Sequence, residues 1–190
     1  RVPLFELVFH DCHQSSWYTG DGMTKVPALW DAKDLLNLLY ATMPLWMPDA
    51  KLWAQYRDRF LASYFTVNAV GEAVGGAEMT DHAFLTPDRR VQRTEFASGH
   101  VVTANFRERD WRLPDGRVLP RHGFVALGPG LDAWRLRVGG RVVTRVETPA
   151  RVYLDPGSKP WNDGSLRSDG RVAAFRTPAG ARLVTLGKTT

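Results

Sequence analysis

Glu6, His10, Asp11, Cys12 and His13 crowd the first part of the chain, and their types allow several chemistries. If Val2 to Phe9 is extended, alternation sets Glu6 and His10 on one side and Asp11 on the other. A carboxyl and an imidazole at the end of a buried strand suit hydroxyl binding or proton transfer. His10 and Asp11 are therefore assigned to substrate binding. Glu6 is the only carboxyl carried by that segment and so its only candidate for a catalytic role. It reads better as a buried acid satisfied by backbone or arginine. The spacing His10-x-x-His13 invites a zinc reading, but zinc takes three or four ligands and no second pair stands nearby. No metal is expected. Cys12 lacks a base to activate it as a nucleophile. A second group follows at Trp17-Tyr18-Thr19-Gly20-Asp21-Gly22. An aromatic ring covers the C–H face of a sugar and a carboxylate accepts from its hydroxyls, so Trp17 and Asp21 join the substrate-binding set. The plainer reading is a turn with a packed tryptophan.

These residues need elements to hold them. Val2 to Phe9 is an apolar run interrupted by Pro3 and Glu6, which predicts a strand covered on both faces, as in a parallel sheet. Pro27 marks a helix start, and Trp30, Leu35, Leu38 and Leu39 give helical spacing, with Asp31 and Asp34 near the N-terminal end. Asp49 is placed to cap a second helix whose stripe is Leu52, Trp53, Tyr56, Phe60 and Tyr64. Trp30, Trp46 and Trp53 fall on helical spacing and are assigned to the core. The pattern changes near Gly75-Gly76. Beyond it, hairpin turns recur at Ala97-Ser98-Gly99, Asp115-Gly116, Gly139-Gly140 and Pro178-Ala179-Gly180. Strand, loop and helix in the first part predict β/α units, and the later hairpins predict an antiparallel sandwich. The expected architecture is α/β plus all-β: the last units of an incomplete (β/α)8 barrel over 1–75, then an antiparallel β-sandwich over 76–190. One or two units cannot close a barrel, so the remaining staves are expected upstream of Arg1.

Composition narrows the function classes. Across 190 residues, 44% are hydrophobic, enough to bury a core. The single cysteine excludes an internal disulfide framework. The net charge of +5 does not signal a nucleic-acid partner, because the arginines are scattered. Arg135, Arg137, Arg141 and Arg145 share one parity and are expected on the outer face of a sheet. No apolar run reaches the roughly 18 residues of a membrane span. Neither a nucleic-acid nor a membrane partner is expected, and no cofactor.

Three stretches carry a resemblance to a known family. PLFELVFHDCHQSSWYTGDG, LWDAKDLLNLLYATMPLW and EMTDHAFLTPDRRVQRTEFASGHVVTANF occur in that order. Together they resemble the C-terminal region of glycoside hydrolase family 129, a relative of the family 101 endo-α-N-acetylgalactosaminidases. The resemblance runs from about Val2 to Phe106. It implies a (β/α)8 catalytic barrel with β-sandwich domains, and hydrolysis of α-linked N-acetylgalactosamine, as in mucin-type O-glycans, with retention. Retention needs two carboxyl groups roughly 5–5.5 Å apart. The resemblance implies that this pair lies on earlier barrel strands, in the missing N-terminal part of the same enzyme. This stretch would then contribute glycan contacts and be inactive alone. Two other readings stay open: a non-catalytic carbohydrate-binding module, and a glycosidase of the same architecture acting on another sugar such as an α-galactoside.

Overall fold

The computed structural model describes residues 2–16 and 26–187. Its first part is helical. Helix α1 spans Leu4–Phe9, α2 Trp30–Tyr40 and α3 Ala50–Ser63, and α3 runs through a wider π-turn at Tyr64–Asn68 into α4, Ala69–Val74. A short 3-10 turn at Pro27–Leu29 leads into α2, with the proline where its missing N–H costs nothing. Helix α2 ends at Ala41 in the left-handed conformation, φ 49°, and the Ala41 N–H closes back onto Asn37 and Leu38. Asp49 caps α3 by accepting from the Leu52 N–H at 2.7 Å. Replacing Asp49 with alanine is expected to cost about 1 kcal/mol of stability, read from the midpoint of urea unfolding. An unchanged midpoint would show that the cap contributes nothing.

The opening segment is a correction. Leu4–Phe9 is a helix, not a strand. An apolar run of this length fits either state, and leucine and glutamate favour the helix. A parallel strand needs a neighbour. Among the described residues the only pairing before Met79 is an isolated bridge between Ser16 and Met43. The helix turns Glu6 and Leu7 inward and leaves Leu4, Phe5, Val8 and Phe9 exposed.

After Gly75 the described residues form only strands, turns and loops. The strands are β1 Met79–Phe84, β2 Val91–Phe96, β3 Val101–Asn105, β4 Trp111–Arg112, β5 Val118–Leu119, β6 Phe124–Gly128, β7 Leu131–Val138, β8 Arg141–Glu147, β9 Arg151–Asp155, β10 Trp161–Asn162, β11 Arg167–Ser168, β12 Arg171–Thr177 and β13 Gly180–Gly187. Nine of them form one antiparallel sheet in the order β1-β2-β3-β6-β7-β8-β9-β12-β13. The hairpin turns read from sequence are in place. At Gly139-Gly140 both residues take positive φ, 55° and 80°, as a two-residue turn demands.

The layering departs from a sandwich. The inner face of the large sheet packs on helices instead of a second sheet. Met79, Val102, Ala126, Ala133, Val146 and Ala173 share one core with Leu35, Leu38, Phe65, Val70 and Val74. The alanines leave room for Phe65, whose ring stacks on Tyr153 at 4.9 Å with 3° between planes. Two ion pairs tie the layers together: Arg151 to Glu72 at 2.8 Å and Arg171 to Asp58 at 2.5 Å. Two small hairpins, β4–β5 and β10–β11, supply Trp111 and Trp161 to the outer face.

Two further expectations are revised. The turn pairs Val138 with Arg141 and Arg137 with Val142, so parity flips across it. Arg141 and Arg145 lie on the outer face with Trp134, whereas Arg135 lies on the inner face opposite Thr144. Trp30 is fully buried and Trp46 packs beside it, but Trp53 is 42% exposed and stacks on Phe60.

Candidate functional site

Two polar concavities stand out, one at residues singled out in the sequence and one elsewhere. The first, about 310 Å³, lies at the end of α1. Glu6 and His10 are four apart, which places them on one face of a helix as it would on one side of a strand. Both are buried. Glu6 Oε1 accepts from the Ser15 hydroxyl at 2.7 Å, and its Oε2 is enclosed with no hydrogen-bond partner among the described residues. His10 Nδ1 lies 2.6 Å from the Ala77 carbonyl oxygen. A carbonyl can only accept, so Nδ1 carries the proton and Nε2 is left to accept when the ring is neutral. The ring rests on Phe96 with centroids 5.2 Å apart. The Glu6 charge and burial push the Tyr40 phenol up to about 12, with burial the larger cause. The Glu6 carboxyl and the His10 imidazole thus stand together in the wall of the concavity, residue types able to bind hydroxyls or to move a proton.

Asp11, Cys12 and His13 are exposed at its rim. The His13 ring meets Phe5 edge-on at 5.4 Å, and the Cys12 thiol leans on the Phe9 carbonyl. Among the described residues no three histidine, cysteine, aspartate or glutamate side chains gather to hold a metal. Trp17 and Asp21 lie outside the described residues.

The second concavity, about 270 Å³, lies between α2, α3 and the inner face of the sheet. Its floor is apolar: Leu35, Leu38 and Phe124. Its walls carry Asp31, Asp34 and Asp58 from the helices and Arg135, Asp155 and Arg171 from the strands. Arg59 reaches Asp31 at 2.9 Å, and His122 Nδ1 stands 3.5 Å from the same carboxyl. Burial lowers the His122 pKa, with Asp31 opposing that shift. Asp34 is the most perturbed acid. Its Oδ2 accepts from the Ser63 hydroxyl at 2.5 Å, and that hydroxyl accepts from the Trp30 indole N–H at 2.8 Å. Its Oδ1 is sealed from solvent with no hydrogen-bond partner among the described residues. Burial raises the Asp34 pKa to about 7 against the opposing pull of the Ser63 hydrogen bond.

The sequence contained a signal for this cavity. Asp34 sits four residues from both Trp30 and Leu38, inside the apolar stripe of α2. A carboxyl within such a stripe is buried when the stripe is, and there it needs a partner or a proton. Its nearness to the helix start explained it too readily as a dipole effect. Arg135 was hidden by the parity error at the turn.

Searches with this chain found no matching protein-family model and no matching curated protein.

Proposed function

We propose that this chain is the C-terminal region of a retaining glycoside hydrolase acting on α-linked N-acetylgalactosamine, of the kind found in family 129. The observation that carries the reading is a convergence. The three stretches of resemblance meet around His10. The first supplies Glu6, His10 and Asp11, the second brings Ala41 and Thr42, and the third packs Phe96 on the His10 ring. His10 also bonds to Ala77, 67 residues away, just before the third stretch begins. In this reading residues 1–75 belong beside a catalytic barrel completed by the preceding part of the enzyme, and residues 76–190 form the sheet domain. The exposed Leu4, Phe5, Val8 and Phe9 are surface that the preceding part would cover. The acid pair comes from that part. His10 and Asp11 contribute contacts to sugar hydroxyls.

The test uses the longer enzyme with its preceding residues, alongside residues 1–190. The longer form is expected to hydrolyse an aryl α-N-acetylgalactosaminide in preference to the α-galactoside, and residues 1–190 to hydrolyse neither. Asp11→Asn in the longer form is expected to lower kcat/KM by about 10-fold or more, as loss of a charged hydrogen bond does. Turnover by residues 1–190 alone refutes an upstream acid pair. A preference for α-galactoside refutes the assigned sugar.

A further inference from the structure

The cavity between the helices and the sheet shares no lining residue with the concavity at His10. Nothing in the glycosidase reading uses it. Its size limits the occupant. With liquid water at roughly 30 Å³ a molecule, 270 Å³ holds about nine waters, the space of one small ring with its substituents.

Its charge limits the occupant further. Arg59 is matched by Asp31 and Arg171 by Asp58. The remaining guanidinium, Arg135, faces Asp155 across the same space, and Asp34, its pKa raised to about 7 by burial, holds its proton below that pH and adds no charge. Neither a strong anion nor a strong cation meets an unbalanced field there, and an ion entering would lose more hydration than such walls return. Polar groups of both kinds nevertheless converge. Among the described residues the Arg135 Nε has no hydrogen-bond partner. Thr144, its neighbour across the β7–β8 ladder, lines the same cavity with a hydroxyl that both donates and accepts. Acceptors stand opposite, on Asp31 and Asp58, above the apolar floor.

We propose that this cavity binds one uncharged sugar unit, with hydroxyls shared between Arg135, Thr144 and the facing carboxyl groups and its C–H face toward the apolar side of the cavity, where Ala62 lies beside the buried Leu35, Leu38 and Phe124. Each sugar hydroxyl donates once and accepts twice, and walls of alternating carboxyl and guanidinium groups satisfy both roles. A neutral polyol costs little to desolvate beside ion pairs that are already matched. The site is a binding site and involves no bond-making step. It would hold a glycan on the sheet domain whatever the reaction performed elsewhere.

The test is a titration of residues 1–190, followed by ¹H–¹⁵N NMR at the Thr144 amide and the Arg135 side-chain Nε–H. The probes are galactose, N-acetylgalactosamine and glucose, with sodium sulfate as the anion control. At least one sugar is expected to give saturable shifts with a dissociation constant on the order of a millimolar, as its atom count allows. Thr144→Val preserves the strand and removes only the hydroxyl. It and Arg135→Gln are each expected to weaken binding by about 10-fold, whereas Arg182→Gln, exposed on β13 and lining neither cavity, leaves it unchanged. Circular dichroism verifies that each variant is folded, and the unmodified chain alone decides whether any sugar binds. The proposal is overturned by the absence of saturation with every sugar, by an affinity unchanged in both cavity variants, or by sulfate saturating these shifts where sugars do not. Turnover does not enter this measurement, so the glycosidase reading can fail while the sugar site stands, and the reverse.

Discussion

Trp30→Ala is expected to remove about 3–5 kcal/mol of stability, the usual loss for a large aromatic deleted from a packed interior. Trp30 is 0% exposed. It joins α2 to α3 through an edge-on contact with Phe60 at 5.0 Å and a tilted one with Tyr56 at 5.8 Å. The Arg59 guanidinium lies 5.4 Å from its ring. The indole N–H also donates to Ser63, which in turn donates to Asp34. Alanine therefore opens a cavity and leaves a buried hydroxyl one donor short, two costs that add. Trp30→Phe separates them. It keeps most of the ring and loses only the N–H, so its cost is expected near 1–2 kcal/mol. Urea unfolding of the three proteins measures both. If alanine costs less than about 1 kcal/mol, Trp30 does not hold the two helices together.

What the sequence revealed follows from which signals are local. Helix starts at Pro27 and Asp49 and turns at Asp115-Gly116 and Gly139-Gly140 depend on one or two residues and their own backbone, and each is where its chemistry put it. Antiparallel strands after Gly76 followed from the same turns. The partner layer is not a local property. Alternating strands state that one face is apolar but not what covers it, and here it is α2, the π-turn and α4, not a second sheet. Residues 2–9 failed for a related reason. A spacing of four puts Glu6 and His10 on one side in either state, so their convergence was legible while the element carrying them was not. The arginines show how a single turn decides a site. Counting parity through Gly139-Gly140 without pairing Val138 to Arg141 sent Arg135 to the wrong side of the sheet. With it went the strand half of the cavity that Asp34 enters from the helix side.

Asp34→Asn is expected to stabilise the protein above pH 7 and to leave it nearly unchanged near pH 4. Burial raises the folded Asp34 pKa from 3.8 to about 7. Below about pH 4 the carboxyl is protonated both folded and unfolded, and it contributes no pH dependence. Between the two pKa values the folded protein holds the proton that the unfolded chain has released, so stability falls as pH rises. Above pH 7 the buried group is ionised in both states and the full penalty is present. Three pK steps at 1.36 kcal/mol each set an upper bound of about 4 kcal/mol. The surroundings explain why the charge is not rescued. Ser63 gives it one hydrogen bond, but Asp31 adds like charge, while Arg59 and Arg135 offset it only from a distance. Asparagine keeps an acceptor for the Ser63 hydroxyl and cannot ionise. Unfolding free energies of the two proteins, taken at intervals from pH 4 to 8.5, should start together and separate by about 2–4 kcal/mol in favour of the asparagine variant at the alkaline end. Every other group titrates alike in both chains, so the difference curve isolates this carboxyl. Parallel curves across the range would mean that Asp34 keeps an ordinary acidity, and that the cavity beside it holds a permanent charge.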